Sequence, residues 1–361
     1  KCESVVVCGR WGADGDRELV CQGDVVTRED GDLRSLIAAI IFLPLVLWAP
    51  AEYTPPPPRM VARSFAGIAW DQLGPGSELH LAAGVYHEAL TVRSSGAPGA
   101  PLRIVADGPV VIDGDGVRQS GIDISGRSWV TVDGGGLLHL VGHTGVGVGS
   151  VEVRHSDHVE IVGVTIDNAM SRGVFFDDVA DSRIADCTIR TGDVSNNAQT
   201  DGIYLQFGSG NVVEGNRVVL ANNGTNHNDA LQAANGESRL TVRDNWLIHA
   251  PGRGNSASQG LIIEQPAGPV YVHRNVIVGA WEAWQVALFK NVAPGGVYHI
   301  RDNTIVAQHS RSVPLRLYNT VDAGLAVAQT NILVTRGAPA VMNDNGVTYG
   351  PGKIDNLVYR P

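Results

Sequence analysis

The densest cluster of polar side chains in the sequence is the segment NNGTNHNDALQ (222–232), which contains His227 and Asp229. A second acid, Asp201, begins the similar segment DGIYLQ (201–206) earlier in the chain. An imidazole and two carboxylates can bind Ca²⁺ through the oxygens, or His227, with an ordinary pKa of about 6.5, can act as a general acid or base. The same residue types also cap turns, so a purely structural role stays open beside the catalytic one.

Basic residues recur downstream of this segment, at Arg253 and at Lys290, with Glu264 between them. A cation can neutralise the carboxylate of a ligand and so acidify the proton on the adjacent carbon, and a base can then remove that proton. The predicted catalytic residues are His227, Lys290, Arg253, Asp201 and Asp229. The possible calcium ligands are Asp201, Asp229 and Glu264.

A sequence repeat supplies a fold that brings these distant positions together. Five asparagines recur at intervals of 28 to 30 residues, each inside a similar apolar segment such as NVVEGNRVV or LTVRDNWLI. A repeat of this length is typical of a solenoid, in which each coil buries its apolar face against its neighbours. Side chains at the same position of every coil are then expected to form a hydrogen-bonded ladder. The ladder residues are Asn216, Asn245, Asn275, Asn303 and Asn331.

The segments between Gly and Pro turns alternate as half-buried strands do, which predicts an all-β solenoid of about ten coils. In the strand DGIYLQ, alternation places Ile203 and Leu205 inward and Tyr204 and Gln206 outward. The corresponding strands of the other coils extend these positions into two outward columns. One column contains Phe175, Tyr204, Gln232, Ile262, Leu288 and Arg316. The other contains Asp177, Gln206, Ala234, Glu264, Lys290 and Tyr318. Glu264 and Lys290 therefore lie one coil apart, where a surface ion pair is the alternative to a catalytic role.

Side chains suited to holding a sugar lie on the same side of the predicted coils. Exposed indoles can stack on sugar faces, and the segment GAWEAW (279–284) offers two of them. Covering the end of the apolar core is the alternative role for these indoles. The predicted substrate-binding residues are Tyr204, Gln232, Trp281, Trp284 and Arg316.

The composition and the N-terminal region point to an exported protein. The chain has 361 residues and a formal net charge of −10, which disfavours binding to nucleic acid. Residues 35–51 contain a short apolar block that ends in Ala-Pro-Ala, as a secretory signal peptide does, and an uncleaved membrane anchor is the alternative. Residues 1–34 stay unassigned, residues 52–64 form a Pro-rich spacer, and the solenoid is expected over residues 65–361.

Three strands per coil, a two-residue turn carrying the Asn ladder, and long variable loops before each first strand resemble the right-handed parallel β-helix of the pectate-lyase-like superfamily. The opening segment LGPGSELHLAAGVYHEAL (73–90) is also similar to the first coils of secreted members. The segment TDGIYLQ (200–206) resembles the NTDG segment of polygalacturonase-like hydrolases. The following coils contain neither the paired Asp nor the Gly-His-Gly of those enzymes, because Arg253 stands where His is expected.

The resemblance covers about residues 65–361 and implies a carbohydrate-active protein. We expect a secreted, periplasmic or cell-surface polysaccharide lyase or C5 epimerase that acts on an acidic polysaccharide in a groove on the loop side, with Ca²⁺ as a possible cofactor. A non-catalytic scaffold, adhesin or assembly subunit is the first alternative, and a polygalacturonase-like hydrolase is the second. Contact with a membrane is expected only if residues 35–50 remain as an anchor, and the sequence leaves the oligomeric state open.

Overall fold

The structure, a computed structural model, describes residues 58–192, 199–221, 227–250, 257–279, 284–291, 296–318, 326–343 and 354–360. The predicted extension 1–34, the signal peptide or anchor 35–51 and residues 52–57 of the predicted spacer lie outside the described residues. Within the described part of the chain, no helix is long and apolar enough to cross a membrane.

Short β-strands make up nearly all of the regular structure. A single turn of 3₁₀-helix, Trp70–Gln72, is the one helical element of the described residues. The strands are β1 (Arg59–Ala62), β2 (Glu78–Leu81), β3 (Gly84–Tyr86), β4 (Leu90–Thr91), β5 (Leu102–Ala106), β6 (Val110–Asp113), β7 (Ile122–Asp123), β8 (Ser128–Val141), β9 (Gly149–Ala169), β10 (Arg172–Ala180), β11 (Arg183–Ala185), β12 (Thr188–Thr191), β13 (Asp201–Gln206), β14 (Val212–Glu214), β15 (Arg217–Leu220), β16 (Asp229–Ala234), β17 (Leu240–Arg243), β18 (Trp246–His249), β19 (Gln259–Glu264), β20 (Pro269–His273), β21 (Val276–Val278), β22 (Gln285–Lys290), β23 (Val297–Arg301), β24 (Thr304–Val306), β25 (Val313–Tyr318), β26 (Ala326–Val334), β27 (Val341–Asn343) and β28 (Ile354–Tyr359).

The strands pair in parallel with the corresponding strands of neighbouring coils, so the protein is a parallel β-solenoid as predicted. Each coil contributes up to three strands, such as β13, β14 and β15, which we call its first, second and third strands. The first strands of successive coils form one sheet, the first-strand sheet, which bears the candidate site. Its strand order is β4, β7, β9, β10, β13, β16, β19, β22, β25 and β27. Eight of these strands have three or more residues, whereas β4 and β7 have only two. The solenoid therefore has about eight full turns, slightly fewer than the ten expected.

The interior of the solenoid is a continuous apolar core. Ile203 and Leu205 of β13 point inward and are fully buried, as the alternation predicts, and Leu231 and Leu261 continue the same row in the next two coils. Each coil alone has too little surface to bury these side chains, so stacking of the coils stabilises every one of them.

The Asn ladder is confirmed. Asn245 Oδ1 accepts hydrogen bonds from the backbone N–H and from the side-chain amide of Asn216, both at 3.0 Å, and the pattern repeats through Asn275, Asn303 and Asn331. Asn356, which the sequence argument omitted, extends the ladder by one more coil. These bonds satisfy backbone groups that the corner of each coil would otherwise leave unpaired inside the protein.

The residue before each ladder Asn bends the chain. Asp244, Arg274 and Asp302 all have φ between 57° and 58°, in the left-handed region that a sharp two-residue turn requires. Because the turn has the same length in each coil, the three strands keep their register along the solenoid, and the outward columns are preserved.

Candidate active site

Two acids at the start of successive first strands form a short buried ladder. Asp201 Oδ1 accepts a hydrogen bond from the backbone N–H of Asp229 at 3.0 Å, and Asp229 Oδ1 accepts one from the backbone N–H of Gln259 at 2.8 Å. Both carboxylates are fully buried. One oxygen of each acid therefore accepts a backbone hydrogen bond at this corner of the coil, as the ladder Asn side chains do at another corner. These two oxygens thus have the purely structural role that the sequence analysis left open.

The second oxygen of Asp229 faces the imidazole of His227. His227 Nδ1 lies 2.9 Å from Asp229 Oδ2, and the His227 side chain is 34% exposed. The other ring nitrogen, Nε2, has no hydrogen-bond partner among the residues that the structure describes. A buried carboxylate thus orients a half-exposed histidine, which is the arrangement expected of a general acid or base.

Burial and charge shift the pKa values of this cluster. Burial alone would lower the pKa of His227, but the adjacent Asp229 carboxylate outweighs it and raises that pKa to about 9. Burial, reinforced by the charge of Asp229, raises the pKa of Asp201 to about 7, and burial also raises the pKa of Asp229. His227 is therefore mostly cationic at neutral pH, and Asp201 is partly neutral.

A chain of amides connects these acids to the predicted pair of Glu264 and Lys290. The Gln199 amide donates to Asp201 Oδ2 at 3.1 Å and to Gln232 Oε1 at 2.8 Å, and the Gln232 amide donates to Glu264 Oε1 at 3.2 Å. Lys290 Nζ lies 2.7 Å from Glu264 Oε2. The predicted ion pair is thus present, and it belongs to a connected polar network rather than standing alone on the surface.

Arg172, which the sequence analysis did not select, belongs to the same cluster. It pairs in register with Asp201, and its Nε lies 3.9 Å from Asp201 Oδ2. The guanidinium carbon lies 4.3 Å from the ring centre of Phe175 and 4.4 Å from that of Tyr204. The repeat itself could have identified Arg172, because it begins the segment RGVFFD just as Asp201 begins DGIYLQ.

The predicted substrate-binding residues differ in accessibility. Tyr204 and Gln232 lie in their predicted outward column but are buried, so in this structure they support the cluster. Arg316 donates to Gln285 Oε1 at 3.0 Å and lies over the Tyr318 ring. Trp284 is 64% exposed. Arg253 and Trp281 lie outside the described residues.

Asp201, Asp229 and Glu264 do not suit a calcium centre. Calcium takes six to eight oxygen ligands, whereas the two buried aspartates each give one oxygen to the backbone and Glu264 is paired with Lys290. In the described part of the chain, the acidic group with ligand atoms within 4.8 Å of one another is a different one, His87, Asp113 and Asp115. Arg118 already pairs with Asp115 there.

A cavity of about 450 Å³ lies at the ends of the third strands of several coils and is lined by Asp167, Asn168, Arg190, Thr191, Gly192, Ala221 and Ala250. A smaller cavity of about 250 Å³ lies near the first coils, between Phe65 and Arg93. Neither cavity includes His227 or Lys290.

Accessible cations and buried acids are separated in this cluster. His227, Lys290 and Arg172 keep 34%, 27% and 15% of their side chains exposed, while Asp201 and Asp229 are inaccessible. The buried Asp229 raises the basicity of the histidine, and His227 and Lys290 are both partly exposed to solvent. The site thus presents positive charge to a ligand, although the whole chain has a net charge of −10.

Comparison with known proteins supports the fold and leaves the activity open. Residues 120–308 match the family model described as right handed beta helix region. Solved structures with a similar fold include XylC in complex with xylose (10% identity, TM-score 0.55, 76% of this chain and 66% of that chain) and pectate lyase Pel9A (15% identity, TM-score 0.51, 77% and 71%). An alginate lyase from Paenibacillus sp. str. FPU-7 matches over 83% of this chain and 98% of that chain at 15% identity, with a TM-score of 0.48. No curated protein sequence matches the chain.

Proposed function

The chain belongs to the family of proteins with a right-handed β-helix region, and we propose that it is a polysaccharide lyase, or a C5 epimerase, acting on an acidic polysaccharide. The observation that carries this proposal is the arrangement of charge on the first-strand sheet. His227 and Lys290 are accessible, and the acids that accompany them are buried or paired. Such a site attracts a chain of uronates and has little to offer a neutral sugar.

The two steps of a β-elimination can be assigned to these residues. Lys290 neutralises the uronate carboxylate, which acidifies the proton on C5. His227, oriented by Asp229 at 2.9 Å, removes that proton through its outward nitrogen Nε2. The electron pair of the broken C5–H bond forms the C4–C5 double bond, and the O4 leaving group departs with a proton from solvent. In an epimerase, the same carbanion is reprotonated on the opposite face.

A glycoside hydrolase is less well supported by the same geometry. An inverting hydrolase needs an acid and a base that reach the glycosidic bond from opposite sides, about 6.5–9.5 Å apart. Asp201 and Asp229 are fully buried and bridge adjacent coils through the backbone, so neither carboxyl reaches a sugar. Pectate lyase Pel9A shares the fold, and its name is that of an enzyme acting on an acidic polysaccharide. That likeness of fold is consistent with the lyase proposal.

Export belongs to the same proposal, because acidic polysaccharides are materials of cell walls and extracellular matrices. Residues 35–51 would then serve as the signal peptide. N-terminal sequencing of the exported protein tests this part, since a mature chain that retains residues 35–50 would indicate an anchor instead.

The decisive experiment exposes the protein to pectate, alginate and glycosaminoglycans and follows the ultraviolet absorbance of unsaturated uronates. NMR of the C5 configuration tests the epimerase in parallel. We expect one polymer to react, and His227→Ala and Lys290→Ala each to lower the rate at least 100-fold. Arg301→Ala is the matched control, because it removes an exposed cation from the second strand of a coil, away from the site. Absence of both products from every polymer, with binding unchanged in both variants, would favour a non-catalytic scaffold.

A further inference from the structure

The guanidinium of Arg172 makes no hydrogen bond to any residue that the structure describes. Its Nε is buried without a hydrogen-bond partner, and no described residue accepts from its other nitrogens. Arg carries five N–H donors and no acceptor, and leaving buried donors unpaired is costly. A ligand with acceptor oxygens would remove this cost.

The natural partner of Arg172 within the protein is already engaged. Asp201 Oδ2 lies 3.9 Å from Arg172 Nε, beyond hydrogen-bond distance, and accepts the Gln199 amide at 3.1 Å instead. Asp201 Oδ1 accepts from the backbone of Asp229. The acid thus supplies a compensating charge nearby without occupying the donors of the arginine.

Two aromatic rings hold the guanidinium in a fixed position. Phe175 and Tyr204 are stacked with ring centres 5.4 Å apart, and the Arg172 guanidinium contacts both rings. Cation–π contacts of this kind restrain the side chain without using its N–H groups. Arg172 is therefore held in place without using its N–H groups, whereas Arg154, which also lies near the Phe175 ring, is paired with both Glu152 and Asp177.

We infer that Arg172 binds the carboxylate of a second uronate, in a subsite separate from the one where the reaction occurs. Arg172 lies on β10, two coils before β16, which is a distance of roughly 10 Å along the solenoid at about 4.8 Å per coil. The planar fork of arginine matches a carboxylate in a bidentate geometry. The preferred substrate would then be a run of acidic sugars rather than an isolated uronate between neutral sugars.

Because this role rests on the proposed function, its test separates the two. In a His227→Ala background, which prevents turnover, calorimetry measures the Kd of oligomers of polygalacturonate and alginate and of the same oligomers after carboxyl reduction. We expect Arg172→Met to weaken binding of the acidic oligomers about 10- to 100-fold and to leave the neutral ones unchanged. Arg172→Lys should recover only part of the loss, because an ammonium lacks the fork.

The controls make each outcome decisive. Arg172→Met keeps a long apolar stem over the two rings, and thermal unfolding shows whether the variant is folded. Arg301→Met removes a cation from another face and should not alter the Kd. An unchanged Kd for acidic oligomers in folded Arg172→Met overturns the subsite and leaves the proposed lyase intact. Absence of binding of every acidic oligomer to the His227→Ala parent, together with absence of product from the unmodified protein, overturns the proposed function and the subsite with it.

Discussion

The carboxylate of Asp201 accepts a hydrogen bond from the backbone N–H of Asp229 in the next coil, at 3.0 Å. An acid here performs the structural task that Asn performs at another corner of the solenoid. Asn would accept the same bond without burying a charge, so stability alone does not explain the two aspartates. Their negative charge has a consequence next to His227, whose pKa it raises.

Replacing Asp201 separates its structural role from its charge. Asp201→Ala removes the acceptor of the Asp229 N–H and should lower the free energy of unfolding by about 1–3 kcal/mol. Asp201→Asn keeps an acceptor and removes a buried acid, so it should be far less destabilising than Asp201→Ala. Its destabilisation relative to the wild type should be smallest above about pH 7, because the wild-type protein then carries a buried ionised acid. Urea unfolding of both variants at two pH values measures this. Equal losses in the two variants would show that the carbonyl acceptor is not the stabilising feature.

The Asn ladder allows a prediction that does not depend on any function. Asn275 Oδ1 accepts two bonds from Asn245, and its amide donates to the Val242 carbonyl and to Asn303 Oδ1. Asn275→Ala should therefore lower the free energy of unfolding by roughly 3 kcal/mol or more, since several buried groups lose their partners. Thermal or urea unfolding tests this. Thr304→Ala, on the outward face of the following coil, is the control and should cost less than about 1 kcal/mol.

The sequence alone was sufficient for the fold and for the outward columns. The regular spacing of Asn216 and Asn245 indicates that the turn they mark has the same length in each coil. A turn of constant length fixes the register in which the neighbouring strands pair. The predicted contact between Glu264 and Lys290 followed from that register and is present.

Burial and hydrogen-bond direction were not predictable in the same way. Alternation places Gln232 outward, but whether an outward side chain is covered depends on neighbouring side chains and loops that do not repeat. The fully buried carboxylate of Asp229 and the unpartnered donor of Arg172 are likewise properties of packing. The repeat did align Arg172 with Asp201, and recognising an arginine in a column of acids and amides would have added it to the site.

Glu237 predicts how stability depends on pH. It is fully buried, accepts from the Gly208 N–H at 2.9 Å and has no cationic partner among the described residues, so burial raises its pKa to about 8. The folded state then holds a proton that the unfolded state, with a pKa of about 4.5, releases. Its contribution to stability is complete below about pH 4.5 and is lost as the pH rises towards 8, by up to about 1.4 kcal/mol per pH unit.

The variant Glu237→Gln tests this dependence, because glutamine keeps an acceptor and does not titrate. Its free energy of unfolding, measured in urea between about pH 5 and pH 9, should fall less steeply with pH than that of the wild type. Asp201→Asn, which removes a different buried acid, serves for comparison. If the two curves for wild type and Glu237→Gln run parallel, Glu237 is already ionised in the folded protein.

Lys290 predicts a difference between acidic and neutral ligands. Lys290→Met keeps the apolar stem and removes the charge that neutralises the uronate, so kcat/KM should fall about 100- to 1000-fold. Binding of the carboxyl-reduced polymer should stay unchanged. Glu264→Gln removes the partner of Lys290 but retains the acceptor for the Gln232 amide, and it should cost much less activity. An equal loss in both variants would place the essential feature in the ion pair rather than in the cation.

The pairing of His227 with Asp229 predicts the pH profile of the reaction. Because the adjacent carboxylate raises the pKa of His227 to about 9, the imidazole is protonated and inactive as a base at lower pH. The value of kcat/KM should then rise about tenfold per pH unit and level off near pH 9. Asp229→Asn removes that carboxylate and leaves burial, which lowers the pKa, so the inflection should move to lower pH while the maximal rate falls.

Asp201→Asn acts from one coil further away and should shift the inflection less. Initial rates of unsaturated uronate formation between about pH 6 and pH 10 measure all three profiles. An inflection that stays in place in Asp229→Asn would mean that a group other than His227 removes the C5 proton.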